Sequence, residues 1–256
     1  MVIPCIDMKI ILIGAGNLAT QLAVALQKKG MTPAYIYSRT RESAEQLSER
    51  LRDVPYSTDI SRVPTDGDLY IFAVKDSALL DLVSRMPSNR GLWVHTAGSM
   101  DMEVFAPYTA RYGVFYPMQT FSKERETDFD DIPIFVETNH TDDTERLQKL
   151  AGRLSTKVYE ATSEQRKYLH LAAVFACNFS NHLYALCDRI LSEHGLPFET
   201  MLPLIRETAA KVADMPPAQA QTGPAIRYDK NVIDKQMALL SDPTMRQIYD
   251  LMSRSI

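Results

Sequence analysis

Lys9-Ile10-Ile11-Leu12-Ile13-Gly14-Ala15-Gly16-Asn17-Leu18-Ala19 is the stretch that decides how this chain folds. Four consecutive apolar residues stop abruptly at a glycine, the pattern of a strand buried on both faces of a parallel sheet. Residues 17–29 then read as a helix, with Leu18, Leu22, Ala25 and Leu26 on one face and Gly30 as its stop. The turn between them has the form G-x-G-x-x-A. A first glycine permits the tight turn, a second lets a pyrophosphate approach the backbone, and a small third residue lets helix and strand pack closely. The helix N-terminus carries the positive end of the macrodipole, so an anion is favoured there. This assigns a dinucleotide to the turn, with Gly14, Ala15, Gly16, Asn17 and Leu18 as its contacts.

Working outward, strand-like and helix-like segments alternate. Residues 34–38 read as a strand, 42–52 as a helix, 69–74 as a strand, 78–86 as a helix and 92–96 as a strand. Strands separated by helices at this spacing predict an α/β fold, a Rossmann doubly wound parallel sheet. Two further strand-like pieces, 114–116 and 134–136, flank an acidic run at 124–131 that reads as a solvated loop. Near residue 161 the character changes. Thr162 and Gln165 form a capping box, and no Gly or Pro follows until Gly195, which predicts a helix of about 30 residues. Further helices are expected at 197–214, 231–240 and 244–253, punctuated by Pro216, Pro217, Pro224 and Pro243. The expected organisation is a dinucleotide-binding domain at 1–160 and a smaller all-α C-terminal domain at 161–256.

The 256 residues, 45% hydrophobic and 23% charged, are ample for a buried core. A net charge of −4 with scattered Lys and Arg lacks the basic stripe of a nucleic-acid binder, so no nucleic-acid partner is expected. The most apolar run, 169–176, is far short of the roughly 18 residues that span a bilayer, and the first seven residues have no basic n-region or long apolar h-region. A cytoplasmic protein without a membrane partner is expected. Cys5, Cys177 and Cys187 show no metal-ligand spacing; the last two, ten residues apart, would be about 15 Å apart along one helix and too far to pair. His140, His182 and His194 have no Cys or carboxylate at ligand spacing, so no metal is expected.

The tip of the second strand separates NAD from NADP. NAD sites usually place an acidic residue there to accept from the ribose 2′-hydroxyl, whereas this chain has Ser38-Arg39-Thr40. A guanidinium and two hydroxyls suit a 2′-phosphate, so NADP is the expected cofactor.

Five segments occur in order: Gly14 to Ala19, Ala73-Val74-Lys75-Asp76, His95-Thr96-Ala97-Gly98-Ser99, Tyr116-Pro117-Met118-Gln119-Thr120-Phe121 and Thr222-Gly223-Pro224-Ala225. Together they resemble bacterial Rossmann-like proteins called NADP oxidoreductases, whose helical C-terminal domain has no known function. More distantly, the layout resembles pyrroline-5-carboxylate reductase and the β-hydroxyacid dehydrogenases. The resemblance implies hydride transfer between NADPH and a small carbonyl or imine substrate, and backbone contacts to the cofactor from Ala73 and Val74. Two positions depart from the pattern. Tyr116 stands where the group usually has His, and Val174 stands where the dehydrogenases carry a catalytic Lys if Asn178 matches their Asn. Both departures leave open a second reading, a non-catalytic NADP-binding or sensing protein.

Candidate site residues follow from placement. His95 ends a strand, and ligands of open α/β sheets lie beyond the carboxyl ends of strands. Thr96 and Ala97 follow it and would offer N–H groups and a hydroxyl near the nicotinamide; Gln119 and Thr120 follow a later strand and would bind substrate. At 100° per residue, Phe175, Phe179, Leu183, Leu186 and Ile190 form a core stripe, while His170, Asn178 and Asn181 share another side with Val174 and Cys177. His170 or His95 is the candidate proton donor and Asn178 orients substrate. The apolar helical domain also predicts a homodimer.

Overall fold

The computed structural model describes residues 8–256; Cys5 and the opening seven-residue segment lie outside the described residues. The chain divides into two compact units, the first ending at Phe175 and the second spanning Ala176–Ile256. The division falls one helix later than the 160/161 boundary expected above, because the helix after residue 162 is bound to the sheet, as described below.

The first unit is an eight-stranded sheet in the order β3-β2-β1-β4-β5-β6-β7-β8. Its strands are β1 (Ile10–Ile13), β2 (Tyr35–Tyr37), β3 (Tyr56–Ser57), β4 (Leu69–Phe72), β5 (Leu92–His95), β6 (Tyr112–Pro117), β7 (Ile134–Thr138) and β8 (Val158–Glu160). All neighbours run parallel except β6 and β7, which are antiparallel with Phe115 opposite Val136. The connection explains the exception. No helix lies between β6 and β7, and a parallel return needs a crossover. Between β7 and β8 the helix α4 (Thr141–Leu154), which the sequence reading passed over, supplies that crossover.

Strand alternation distributes the core between two layers. Ile10 and Leu12 pack with α1 (Asn17–Lys28), α2 (Arg41–Arg50) and α4 through Leu22, Leu26, Leu47, Leu147 and Leu150. Ile11 and Ile13 pack on the other face with Tyr70, Phe72, Trp93 and Phe105, beneath α3 (Asp76–Arg85). Each such fully buried Leu or Ile contributes about 1.5–3 kcal/mol. The acidic run at 124–131 is a loop as expected, but it is docked rather than free. Phe129 is buried and stacks on Phe121 at 5.6 Å. Gln21 of α1 donates to Ser122 O at 2.6 Å and accepts from Thr127 N–H at 3.1 Å. The expected 30-residue helix is built as α5 (Ser163–Ala173), a π-helical segment Val174–Phe179, and α6 (Ser180–Glu193). The uniform 100° spacing that put Asn178 and Asn181 on one side therefore does not hold through the π turns, which close i→i+5 rings.

The second unit consists of α6, α7 (Leu202–Asp214), the short α8 (Pro217–Ala220), α9 (Lys230–Leu239) and α10 (Pro243–Ser255). Cys177 and Cys187 are both free thiols. Among the described residues, no helix is long and apolar enough to cross a membrane.

His95 belongs to the core and not to an open cleft. It is 1% exposed, with its ring 5.6 Å from that of Phe105. Its Nδ1 accepts from Ala97 N–H at 3.2 Å, leaving the proton on Nε2, 3.4 Å from Asp101 O. Burial, with the Arg166 charge second, pushes its pKa down to about 4. At pH 7 this imidazole is neutral, its one N–H faces Asp101 O and the ring is closed off from solvent, which removes the physical basis for His95 as donor. The same shift links folding to pH. The unfolded chain protonates His95 near 6.5 and the native one near 4, so its contribution to stability is complete above 6.5 and is lost as pH falls toward 4. In urea unfolding at pH 7 and pH 4, wild type should lose about 3 kcal/mol more than His95→Asn, whose Oδ1 keeps the Ala97 acceptor. Equal losses in the two proteins would show that His95 titrates normally in the fold.

Candidate functional site

β1 is the switch point of the sheet: β2 and β3 extend from one side of it and β4 to β8 from the other. Ligands of doubly wound folds lie outside the carboxyl ends of strands at this point. The ends of β2, β1, β4 and β5 bring Ser38, Gly14, Ala73 and Thr96 to one edge in that order.

The turn after β1 is shaped by two different uses of glycine. Gly14 has φ +125° and donates its N–H to Tyr37 O at 2.7 Å, and an added Cβ would lie 2.2 Å from Ala73 O. No other residue fits there. Gly16 is the reverse case, exposed and with nothing within 4 Å of an added Cβ. It is the N-cap of α1, makes no side-chain capping bond, and is followed by a first turn without an acidic residue. An uncapped helix N-terminus opening on free space is a cradle for an anionic group, so these residues fit a dinucleotide pyrophosphate. Ala15 and Ala19 are buried, which lets α1 sit close to the sheet, and Leu18 is half-buried. Asn17 is exposed, and its side chain donates to Phe121 O at 3.1 Å.

At the tip of β2, Ser38 is buried while Arg39 and Thr40 are exposed. Thr40 is the N-cap of α2 and makes no side-chain capping bond. Arg39 thus stands beside a second helix N-terminus, so an anion at this tip meets both a guanidinium and a dipole. Past β4, Ala73 donates to Ile13 O at 2.8 Å, and Val74 is half-buried. Past β5, the Thr96 N–H is used by Phe72 O at 3.2 Å and Ala97 N–H by His95, so neither amide is free for a ligand.

Three residues that the sequence does not place side by side meet on the same edge. Tyr116, near the end of β6, has its hydroxyl 3.3 Å from Nδ1 of His170 on α5. Gly98, in the loop after β5, allows this. A Cβ there would lie 2.7 Å from His170 Nδ1 and 2.9 Å from Tyr116 Cζ. His170 is exposed, whereas Tyr116 is buried. Gln119 and Thr120 follow β6 but turn to each other, with Gln119 Oε1 accepting from Thr120 N–H at 2.8 Å. Asn178 is exposed in the π-helical segment of the second unit.

Sequence reasoning missed the group that fixes His170. Arg166, one turn earlier on α5, is fully buried and pairs with Glu137 of β7 at 2.7 Å. The same guanidinium donates to Met100 O at 2.5 Å, Ala97 O at 3.3 Å and Ser163 Oγ at 3.2 Å. Glu137 also accepts from Ser163 N–H at 2.8 Å, a carboxylate at the positive end of α5, and the Thr162–Gln165 capping box completes that end. One cation therefore ties β7, the loop carrying Gly98 and the helix carrying His170.

Two family models match the sequence: a Rossmann-like domain over residues 3–118 and a domain of unknown function (DUF2520) over residues 132–256. No curated protein matches. Among solved structures, a "putative NADP oxidoreductase" from Bacteroides fragilis is 52% identical, with a TM-score of 0.92 and 98% of each chain covered. Two more distant structures share the fold. One is an imine reductase from Myxococcus stipitatus in complex with NADP+, 17% identical with a TM-score of 0.69, covering 96% of this chain and 91% of its own. The other is a pyrroline-5-carboxylate reductase from Coxiella burnetii, 15% identical with a TM-score of 0.60, covering 97% of this chain and 95% of its own. The chain belongs to the family that the Bacteroides fragilis protein represents, in which a Rossmann-like domain is joined to a domain of unknown function.

Proposed function

We propose that this protein is an NADP-dependent oxidoreductase that reduces a small carbonyl or imine compound. The carrying observation is the sheet edge itself, where an open glycine cradle at α1 lies next to a β2 tip that presents Ser38, Arg39 and Thr40 and no acidic side chain. Gly14, Ala15, Gly16 and the first turn of α1 hold the pyrophosphate, and Arg39 holds the 2′-phosphate with the two hydroxyls.

Bound NADPH supplies a hydride to an electrophilic carbon. The oxygen or nitrogen on that carbon must then gain a proton, and His170 is the residue to give it. Its side chain is exposed, it lies on the edge where the cofactor residues end, and imidazole is the side chain that most often serves as a general acid. The pairing with Tyr116 favours turnover over passive binding, since an NADP sensor has no use for an oriented proton donor.

The second unit supports a homodimer. Among residues 176–256 only Ala225 and Met245 are buried, and none of the residues of α6, α7 or α9 is. Leu183, Leu186, Ile190, Ile248 and Met252 line an open apolar groove of about 390 Å³ within this unit. An 81-residue unit so poor in buried side chains needs a partner surface, and a second copy supplies one by symmetry.

Two measurements test this reading. By calorimetry NADPH should bind more tightly than NADH, and Arg39→Ala should weaken NADPH about ten- to a hundredfold while leaving NADH nearly unchanged. Equal affinities in wild type would contradict the 2′-phosphate assignment. By light scattering at micromolar concentration the mass should be twice 28.9 kDa. A monomer at that concentration would contradict the pairing.

A further inference from the structure

We infer that Tyr116 is a positioning residue for His170, fixing which of its ring nitrogens carries the proton. This deepens the reductase reading and rests on it for its purpose, though not for its geometry.

Three elements converge to make the contact. β6 brings Tyr116, α5 brings His170, and the loop after β5 brings Gly98, whose missing side chain is the space the two rings occupy. The hydroxyl to Nδ1 distance of 3.3 Å is within hydrogen-bond reach, and the rings meet nearly edge-on at 67° with centroids 6.4 Å apart. The direction of the bond follows from acidity. A phenol releases its proton near pH 10, far more readily than a neutral imidazole N–H, and a bare imidazole nitrogen is the stronger base. Tyr116 donates and Nδ1 accepts. The imidazole proton is then confined to Nε2, on the far side of the ring from the phenol, so the exposed residue presents a donor and keeps its acceptor turned inward. The Arg166 cluster one turn below prevents α5 from sliding out of this register.

A phenol hydroxyl can donate or accept, but its oxygen is a much weaker base than an imidazole nitrogen, so donation from Tyr116 to a bare Nδ1 is the favoured arrangement. The departure noted in the sequence thus still leaves His170 with an oriented hydrogen-bond partner.

The test uses the full-length protein with ¹⁵N-labelled histidine, in which bare and protonated ring nitrogens resonate far apart. His170 is assigned by the signals that vanish in His170→Gln. In wild type near pH 8, His170 should show a bare Nδ1 and a protonated Nε2. Tyr116→Phe, which keeps the ring and removes only the hydroxyl, should lower the ratio of Nε2–H to Nδ1–H forms about fivefold, the worth of one neutral hydrogen bond. Gly98→Ala should shift the same signals by pushing the rings apart, which separates loss of this contact from any other effect of Tyr116→Phe. A protonated Nδ1 in wild type, or unchanged His170 populations in Tyr116→Phe, would overturn the inference. Neither cofactor nor substrate enters this readout. Weak NADPH binding would therefore refute the functional reading alone, and an unmoved tautomer would refute the positioning role alone.

Discussion

A single buried ion pair, Arg166 with Glu137, is the constraint on which the site geometry depends. The guanidinium is fully enclosed, and taking such a charge out of water costs several kcal/mol, so it is tolerated only with each of its three nitrogens hydrogen-bonded. Here the carboxylate, two backbone carbonyls and a serine hydroxyl bond all three nitrogens. The arrangement is rigid for that reason. Moving α5 by even an ångström would leave a buried cation short of partners, and so the helix, the loop after β5 and the end of β7 keep one mutual position. His170, one turn beyond Arg166, inherits that position.

The pair also explains why His95 and His170 differ so much despite the same residue type. His95 lies beneath the Arg166 charge and inside the aromatic layer of Phe72, Trp93 and Phe105, where both burial and the cation disfavour imidazolium. His170 lies at the surface and faces a phenol. Two histidines brought to one sheet edge are thus divided by environment into a core member and an exposed one, the proton donor proposed above. The glycine cradle is organised separately, by β1 and α1, so the proposed cofactor site and the proposed proton donor come from different parts of the same edge.

What the sequence revealed was whatever is local. The turn at Gly14 and Gly16 is legible because positive φ and a close approach to Ala73 are demands that glycine alone meets. The parallel pairing of β2, β1, β4 and β5 is legible because the helices at 17–29, 42–52 and 78–86 separate their strands, whereas the two-residue β3 is too short to read and only a 3-10 turn joins β5 to β6. The antiparallel β7 had a signal too, the missing crossover helix. His95 was readable with more care: it is two residues after Trp93, so strand alternation sends both side chains to the same buried face. Arg166 had almost no signal, since an arginine on a helix is exposed by default and its partner lies 29 residues away. The contact of Tyr116 with His170 spans 54 residues and depends on an absence, the side chain that Gly98 lacks. The π turns at Val174–Phe179 are a backbone choice that side-chain periodicity does not record.

The dependence of the site on Arg166 is tested most directly by amide hydrogen exchange across α5 in Arg166→Met and in Arg166→Met with Glu137→Gln. Removing the cation alone leaves a carboxylate without its counter-charge, which should lower the protection of the α5 amides about a hundredfold or more. Neutralising that carboxylate as well should restore most of the protection, because the carboxamide introduced by Glu137→Gln can still accept from Ser163. Protection in Arg166→Met within a few-fold of wild type would contradict the account, because the helix bearing His170 would then be held by its apolar contacts alone.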